Sequence, residues 1–170
     1  MSIAAVVLAA GEASRFGTPK QRLLLPEVLE RLEQSPVDDI VVVAGAHTLE
    51  TPARVVTCAG WKRGPGASLS SGLEELGEDV EAAIVVLADG PDLNPEAVER
   101  VIASWRAEGG PVVAASYGGE RGHPLLIARE AWGSVPDEGL RVLEARLVPC
   151  DDLGDPGDVN TPADLPPRLR

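Results

Sequence analysis

Two cationic residues, Arg15 and Lys20, follow a short apolar run that ends in small residues and Gly11. The apolar run, residues 3–10, has the length of a buried strand and is bounded by turn-forming residues. A loop of this composition can direct backbone N–H groups at an anion, and Arg15 and Lys20 would add full positive charge. The segment therefore predicts a site for a phosphate-bearing ligand, although a strand followed by a basic surface turn would have the same composition.

The spacing of these residues differs from the common phosphate-binding motifs. Gly11 and Gly17 lack the G-x-G-x-x-G spacing of dinucleotide-binding loops, which argues against an NAD-linked oxidoreductase. Lys20 is neither preceded by glycine nor followed by serine or threonine, so the segment is not a Walker A loop.

A carboxylate, Asp89, follows the apolar run at residues 82–87. Ligands of open α/β sheets bind outside the carboxyl ends of the strands, and Mg²⁺ takes one or two carboxylates together with substrate phosphates. Asp89 is therefore the first candidate for a metal ligand. Asp92 is the rival carboxylate, but it lies beyond the turn. A turn-forming aspartate is the structural alternative for Asp89.

Three further segments carry polar residues in loop or helix-start patterns. Gly66 and Ser68 stand near the start of a predicted helix, where N–H groups attract anions, although a plain capped helix would look the same. His123, in a predicted loop at residues 117–124, is assigned to positioning or acceptor contact, since a lone loop histidine is more often structural than catalytic. Asp158 and Asn160 precede a helix-start pattern at Thr161, and turn formation is their alternative role.

The elements that must position these residues alternate between strands and helices. Strands are predicted at residues 3–10, 39–44, 54–57, 82–87, 112–115, 124–127 and 146–149. Helices are predicted at residues 27–34, from 67 onward and at 95–107, with another helical stretch opening at 137. This alternation predicts one mostly parallel sheet with helices on both faces.

Composition limits the class of protein. The net charge of -12 over 170 residues argues against general affinity for nucleic acid, although Arg15, Lys20 and Arg22 could form a local cationic pocket. No apolar stretch reaches the roughly 20 residues of a membrane span, and no signal peptide is predicted. Two isolated cysteines, Cys58 and Cys150, suggest reduced thiols and a cytoplasmic protein.

Residues 8–20 resemble the opening signature of the molybdenum-cofactor nucleotidyltransferase-like family, L-A-A-G-x-S-x-R-x-G-x-x-K. Its fixed positions are occupied by Leu8, Ala9, Ala10, Gly11, Ser14, Arg15, Gly17 and Lys20. Further segments resemble the family at residues 66–73, 87–91, 122–124, 137–141 and 157–165. The stretch between Lys20 and the first predicted helix is shorter than the family's. The resemblance is closest to CTP:molybdopterin cytidylyltransferases.

The resemblance implies a single-domain, three-layer α/β/α Rossmann-like nucleotidyltransferase fold of the GT-A-like kind, with a mostly parallel sheet, over residues 1–170. The implied reaction is the Mg²⁺-dependent transfer of a nucleotide, with CMP as the first choice, from CTP or GTP to a phosphorylated small-molecule acceptor such as molybdopterin. Pyrophosphate would be released. No nucleic acid or membrane partner is implied, and the oligomeric state is left open.

The resemblance also assigns roles to residues. The catalytic set would be Arg15, Lys20 and Asp89. The nucleotide would contact Leu8, Ala9, Ala10, Gly11, Ser14, Arg15, Lys20, Gly66 and Ser68. The acceptor would contact Gly122, His123 and Pro124. The metal would be held by Asp89 and by Asn160, which stands where the family has its second metal ligand, with Asp158 as a possible compensating carboxylate.

Two alternatives stay open from the sequence. Relatives with the same signature transfer GMP to molybdopterin, CMP to methylerythritol phosphate or guanylate to phospholactate. A non-catalytic nucleotide- or cofactor-binding module is the other class, because Asn160 is an amide. The combination of Arg15, Lys20 and Asp89 argues against such a module.

Overall fold

The computed structural model describes residues 2–11 and 20–170, without the side chains of Lys20 and Gln21. Within these ranges the chain forms a seven-stranded sheet. The strands are β1 (Ser2–Ala9), β2 (Asp39–Ala44), β3 (Arg54–Thr57), β4 (Val80–Leu87), β5 (Val112–Tyr117), β6 (Glu120–Ala128) and β7 (Arg146–Pro149). The helices are α1 (Lys20–Glu33), α2 (Pro65–Glu74) and α3 (Pro95–Glu108).

The sheet order is β3-β2-β1-β4-β6-β5-β7. All neighbouring pairs are parallel except those of β6, which runs antiparallel to β4 and to β5. The chain leaves β1 toward β2 on one side, while β4 pairs with the other side of β1. Such a reversal of strand order opens a crevice at the carboxyl ends of the strands. The mostly parallel sheet predicted from the sequence is confirmed.

The helices cover both faces of the sheet. One hydrophobic cluster joins α1 and α3 to the sheet through residues such as Val28 and Val98. The opposite face packs against α2 through Leu69 and Leu73. Gly72 is required there, since a Cβ at this position would lie 2.7 Å from a methyl carbon of Val6. The three-layer arrangement follows from strands that are apolar on both faces. No helix of the described residues is long and apolar enough to cross a membrane.

The prediction for the first helix was wrong at its start. Helix α1 begins at Lys20 rather than at residue 27, and it contains Pro26. Buried side chains at Leu25, Val28, Leu29 and Leu32 have the i, i+3, i+4, i+7 spacing of one apolar face. Burial of this apolar face stabilises the helix on both sides of Pro26, although the proline removes one backbone hydrogen bond.

Two other element predictions were wrong in extent. The predicted loop at residues 117–124 is mostly strand, because Gly118 and Gly119 have positive φ angles of 61° and 81° and form a tight hairpin turn between β5 and β6. The predicted helical stretch from residue 137 is limited to a 3-10 turn at Leu140–Val142. The helix-start pattern predicted at Thr161 is present and opens the 3-10 turn Pro162–Asp164.

Candidate active site at the carboxyl edge of the sheet

The end of β4 and the C-terminal segment meet at Asp89, which is half-buried. The backbone carbonyl of Asp89 accepts a hydrogen bond from the N–H of Val159 at 3.0 Å. Asp158 and Asn160 flank Val159 in the chain, so the fold brings together the segments that carry the three residues predicted to hold a metal. This meeting joins positions 70 residues apart in sequence.

The end of β1 lies directly beside this point. Leu8 pairs with Leu87 in the parallel register, and the Leu8 carbonyl accepts a hydrogen bond from the N–H of Ala88 at 3.0 Å. Ala9 and Ala10 are buried, whereas Gly11 is exposed. The predicted nucleotide-binding strand end therefore lies next to Asp89, at the crevice where the strand order reverses.

Val159 is a structural residue of this segment that the sequence analysis missed. It is only 2% exposed, and it packs in a small hydrophobic cluster with Leu24 and Leu165. Leu24 lies four residues after Lys20 on α1. Val159 thus ties the C-terminal segment to both β4 and α1. The only signal in the sequence is an apolar residue between two polar ones, Asp158 and Asn160.

Asp164 fixes the backbone that carries Asn160. One oxygen of its carboxylate accepts hydrogen bonds from the backbone N–H groups of Asn160 and Thr161, at 3.1 and 2.9 Å, and from the Thr161 hydroxyl. This is a capping box on the 3-10 turn that follows. Asn160 is consequently held at the end of a rigid turn, close to the Asp89 carbonyl.

The oxygen ligands beside the end of β4 are of the kind that binds a hard divalent cation. Asp89 and Asp158 offer carboxylate oxygens and Asn160 offers an amide oxygen, which are ligand types that Mg²⁺ and Mn²⁺ accept. The structure shows no group of three or more His, Cys, Asp or Glu side chains suited to a metal among the residues it describes. A cation held here would therefore need ligands from a bound phosphate, as Mg²⁺ does in many phosphoryl-transfer sites.

A cavity of about 220 Å³ lies beside Asp89, over β4 and β6. Its lining includes Gly122 and His123, two of the three residues predicted to contact an acceptor, together with Asp158. The third predicted residue, Pro124, is buried. The structure therefore places two of the three predicted acceptor residues and Asp158 around one cavity.

His123 is a neutral residue in this site near pH 7. Burial, assisted by the nearby positive charge of Arg121, lowers the pKa of His123 to about 4. Its backbone carbonyl accepts a 2.7 Å hydrogen bond from the Tyr117 hydroxyl. Gly122 leaves room for the Tyr117 ring, because a Cβ there would lie 2.8 Å from two ring carbons. The hairpin thus fixes the position of His123 through its backbone.

The amino end of α2, where nucleotide contacts are predicted at Gly66 and Ser68, packs against a loop. The N–H of Gly66 donates to the carbonyl of Asp137 at 3.0 Å. A Cβ on Gly66 would lie 1.6 Å from the Pro136 carbonyl oxygen. Gly66 is therefore packed against the 136–139 loop, and Ser68 is only 3% exposed. The structure does not bring these two residues to the Asp89 segment through any contact it describes.

Trp61 lies between α2 and the ends of β1 and β2. A Cβ on Gly45 would be 2.7 Å from the Cβ and Cγ atoms of Trp61 and 2.9 Å from the Cβ of Ala10. Trp61 is half-buried, and the Lys62 ammonium lies 5.6 Å from its ring centroid. The indole therefore borders the predicted nucleotide-binding strand end on the side away from the cavity.

Two charged residues considered from the sequence are engaged elsewhere. The exposed Asp92 forms an ion pair with Arg168 at 2.8 Å, which makes it a structural residue of the loop after β4. Arg22 donates from its guanidinium to the Thr48 carbonyl, at 3.3 and 3.2 Å. Ser14 and Arg15 lie outside the described residues, as does the side chain of Lys20.

Comparison with known proteins finds relatives among nucleotidyltransferases. A bifunctional GlmU protein of Streptomyces avermitilis is 32% identical in an alignment of 151 positions that covers 78% of this chain and 31% of that protein. A probable molybdenum cofactor guanylyltransferase of Chloroflexus aggregans is 33% identical in an alignment of 129 positions that covers 69% of this chain and 60% of that protein. The chain thus spans about a third and three-fifths of the lengths of these two relatives.

A third relative is matched over most of its length. A probable molybdenum cofactor guanylyltransferase of Bacillus cytotoxicus is 28% identical in an alignment of 168 positions that covers 88% of this chain and 82% of that protein.

Solved structures with the same fold include Rv0371c from Mycobacterium tuberculosis, which is 27% identical with a TM-score of 0.79 and covers 96% of this chain and 95% of its own. Molybdopterin-guanine dinucleotide biosynthesis protein A from Archaeoglobus fulgidus aligns with a TM-score of 0.68. It is 17% identical and covers 95% of this chain and 94% of its own.

The sequence family is shown by a match to one family model. Residues 5–146 match the model of the MobA-like NTP transferase domain. This range includes the end of β1, the Asp89 segment and the β5–β6 hairpin, and it leaves out the segment of Asp158 and Asn160. The chain belongs to the family of MobA-like NTP transferase domains, which are nucleotidyltransferases.

Proposed function

We propose that this chain transfers a nucleoside monophosphate from an NTP to the phosphate of a small-molecule acceptor, such as molybdopterin or molybdenum cofactor, and releases pyrophosphate. The observation that carries the proposal is the hydrogen bond between the Val159 N–H and the Asp89 carbonyl, at 3.0 Å. It brings the segment of Asp158 and Asn160 to the end of β4, beside the strand end that precedes Gly11.

The reaction requires no protein nucleophile. An oxygen of the acceptor phosphate forms a bond to the α-phosphorus, and the bond from that phosphorus to the bridging oxygen of the β-phosphate breaks. The electron pair leaves with pyrophosphate. The protein contributes positioning and charge stabilisation, which supply most of the catalysis in phosphoryl-type transfer. In our proposal Arg15 and Lys20 neutralise the triphosphate, and the backbone at residues 8–11 lies against the nucleotide.

Asp89, Asn160 and Asp158 would hold a divalent cation. When bound, the cation supplies charge neutralisation at the α-phosphate. Mg²⁺ is our first choice. Mn²⁺ is a second, because a solved structure of Rv0371c with the same fold is a manganese complex. The two buried thiols, Cys58 and Cys150, fit a reducing cytoplasm.

Two comparisons bear on the donor base. The resemblance of residues 8–20 favours CTP. GTP is the second candidate, because two relatives carry the name molybdenum cofactor guanylyltransferase. Acceptors used by other transferases with this signature, methylerythritol phosphate and phospholactate, belong in the same comparison.

A panel of CTP, GTP, ATP and UTP with Mg²⁺ or Mn²⁺ tests the donor. The preferred NTP should raise the melting temperature most, since a ligand that binds the folded state stabilises it by mass action. Pyrophosphate release is then measured with each candidate acceptor. Pyrophosphate from one pair would support the transferase, and NTP binding without pyrophosphate from any pair would favour a non-catalytic binding module.

Lys20→Ala tests whether Lys20 binds the triphosphate or only supports the fold. We expect weaker NTP binding with an unchanged melting temperature in the absence of ligand. Arg106→Ala, at an exposed position on α3, is the control for loss of one cation away from the proposed site. Equal NTP affinity in Lys20→Ala and wild type would remove Lys20 from the proposed site.

A further inference from the structure

The cavity beside Asp89 is lined by apolar residues and by two carboxylates. Its lining consists of Val86, Leu87, Gly90, Leu93, Gly122, His123, Asp155, Pro156, Gly157 and Asp158. Among these described residues none carries a permanent positive charge, and His123 is neutral at pH 7. Two carboxylates, Asp155 and Asp158, stand at exposed positions on one side. The cavity is therefore apolar on the β4 side and negative at its rim.

Nearby groups that could bind an anion are directed elsewhere. Both terminal nitrogens of the Arg121 guanidinium donate to carbonyls, those of Leu140 and Leu143. The Gly157 N–H donates to a carboxylate oxygen of Asp155 at 2.7 Å, and the Gly90 N–H donates to the Leu87 carbonyl at 3.3 Å. An anion in the cavity would therefore meet negative charge without these donors to compensate it.

We propose that this cavity receives the end of the acceptor remote from its phosphate, and that it selects an uncharged or cationic end bearing O–H or N–H donors over a carboxylate. The assignment of the ligand as an acceptor rests on the proposed function. The charge preference rests on the lining alone. Asp155 is the specificity residue, because its exposed carboxylate lies on the cavity rim and outside the segment of Asp158 and Asn160.

The acceptor phosphate would lie outside the cavity, toward Asp89. The cavity borders Asp89 through Gly90 and Asp158, so an acceptor reaching from one to the other needs only a short spacer. A volume of about 220 Å³ is below the range of roughly 300–1,000 Å³ of sites for whole drug-sized ligands. The remote end should accordingly be compact. Among the acceptors considered above, phospholactate, whose non-phosphate end is a carboxylate, is disfavoured.

Three small phosphate monoesters test this preference with the phosphate held constant. O-phosphoethanolamine ends in an ammonium group, glycerol 3-phosphate in hydroxyls, and 3-phosphoglycerate in a carboxylate. Binding is followed by amide NMR shifts of Gly122, His123 and Gly157 in the presence of Mg²⁺. We expect the first two probes to shift these amides and 3-phosphoglycerate to bind roughly three- to tenfold more weakly, as expected for one repulsive charge pair near a protein surface.

Asp155→Asn provides the matched variant, because an amide oxygen can still accept the Gly157 N–H while the charge is removed. It should bring the affinity for 3-phosphoglycerate to within about twofold of that for glycerol 3-phosphate, because the repulsive pair is gone. Asp151→Asn is the control. Asp151 also accepts a backbone N–H, from Gly118, but does not line the cavity, so this variant should keep the wild-type discrimination.

Equal binding of the carboxylate and hydroxyl probes in wild type, or wild-type discrimination in Asp155→Asn, would overturn the proposal. Absence of shifts at the three amides with every probe would overturn it too, since the cavity would then not receive such ligands. These outcomes are separate from a failure of the proposed function, which would appear as absence of NTP binding or of pyrophosphate release while the probe preference persists.

Discussion

The carboxyl end of β4 and the amino end of α2 lie at the same edge of the sheet, but their backbone groups form hydrogen bonds with different consequences. At β4 the Asp89 carbonyl binds the Val159 N–H and so brings an acidic segment to the crevice. At α2 the Gly66 N–H binds the Asp137 carbonyl and so fastens a loop across the helix end. A helix amino end attracts anions only while its N–H groups are available.

The comparison teaches that two segments at the same ligand-binding edge can use their backbone groups differently. Gly66 is packed tightly against Pro136, whereas Asp158 is exposed on the rim of a cavity. We therefore expect substitutions at the β4 side to act mainly on chemistry and substitutions at the α2 side to act mainly on stability.

The largest expected effect is that of Asp89→Ala on metal-dependent turnover. Loss of a metal-binding carboxylate should lower kcat/KM on the order of 100-fold or more. The matched control is Asp92→Asn, three residues away, whose side chain pairs with Arg168. Pyrophosphate release by both variants, with circular dichroism as a check of folding, is the measurement. Near-wild-type turnover in Asp89→Ala would show that the β4 side does not carry the metal-dependent chemistry.

Gly66→Ala should destabilise the protein strongly. The added Cβ would lie 1.6 Å from the Pro136 carbonyl oxygen, so the loop or the helix end must move, at a cost of roughly 2–4 kcal/mol. Urea denaturation measures the free energy of unfolding. Gly133→Ala is the control, because a Cβ at Gly133 meets nothing within 4 Å. Equal stability of the two variants would show that the 136–139 loop does not depend on this contact.

Val159→Ala should affect both stability and chemistry, since Val159 supports the segment of Asp158 and Asn160. Removal of two buried methyl groups should cost about 1–2 kcal/mol of unfolding free energy, and the apparent affinity for Mg²⁺ during turnover should fall. Val55→Ala on the edge strand β3, where Val55 is 37% exposed, serves as the control. An unchanged Mg²⁺ dependence in Val159→Ala would restrict the role of Val159 to packing.

The smallest expected effect concerns pH. Because the pKa of His123 is lowered to about 4 from an ordinary 6.5, the unfolded chain binds more protons than the folded chain between these values. The stability contributed by neutral His123 is complete above pH 6.5 and is lost as the pH falls toward 4, by about 1–2 kcal/mol after allowance for partial exposure. His123→Gln should flatten this part of the stability profile, which urea denaturation between pH 4 and pH 7 measures.

Much of the fold was predictable because its strands are short, strongly apolar runs with clear ends. The predicted strands at residues 39–44, 54–57 and 146–149 agree with β2, β3 and β7. The errors have a common physical origin in tertiary packing. Burial of the apolar face of α1 outweighed the local preference of Pro26, and pairing with β5 extended β6 into a segment rich in turn-forming residues.

The candidate site was predictable only in part. Residue types at Asp89, Asp158 and Asn160 indicated metal ligands, but their meeting depends on Val159, whose packing against Leu24 no local pattern reveals. The predicted contacts at Gly66 and Ser68 were plausible from helix-start chemistry alone. Their surroundings depend on the 136–139 loop, which is about 70 residues away in the chain.

The packing of Trp61 against Gly45, which also lies next to Ala10, gives this protein a tryptophan whose fluorescence can report on the end of β1. The chain has three tryptophans, and the other two lie at the opposite edge of the sheet. The Trp105 indole donates to the Gly110 carbonyl, and the Trp132 indole donates to the Ile127 carbonyl. The emission of Trp61 therefore reports on ligand binding beside the end of β1. The emission of Trp105 and Trp132 reports on the opposite edge of the sheet.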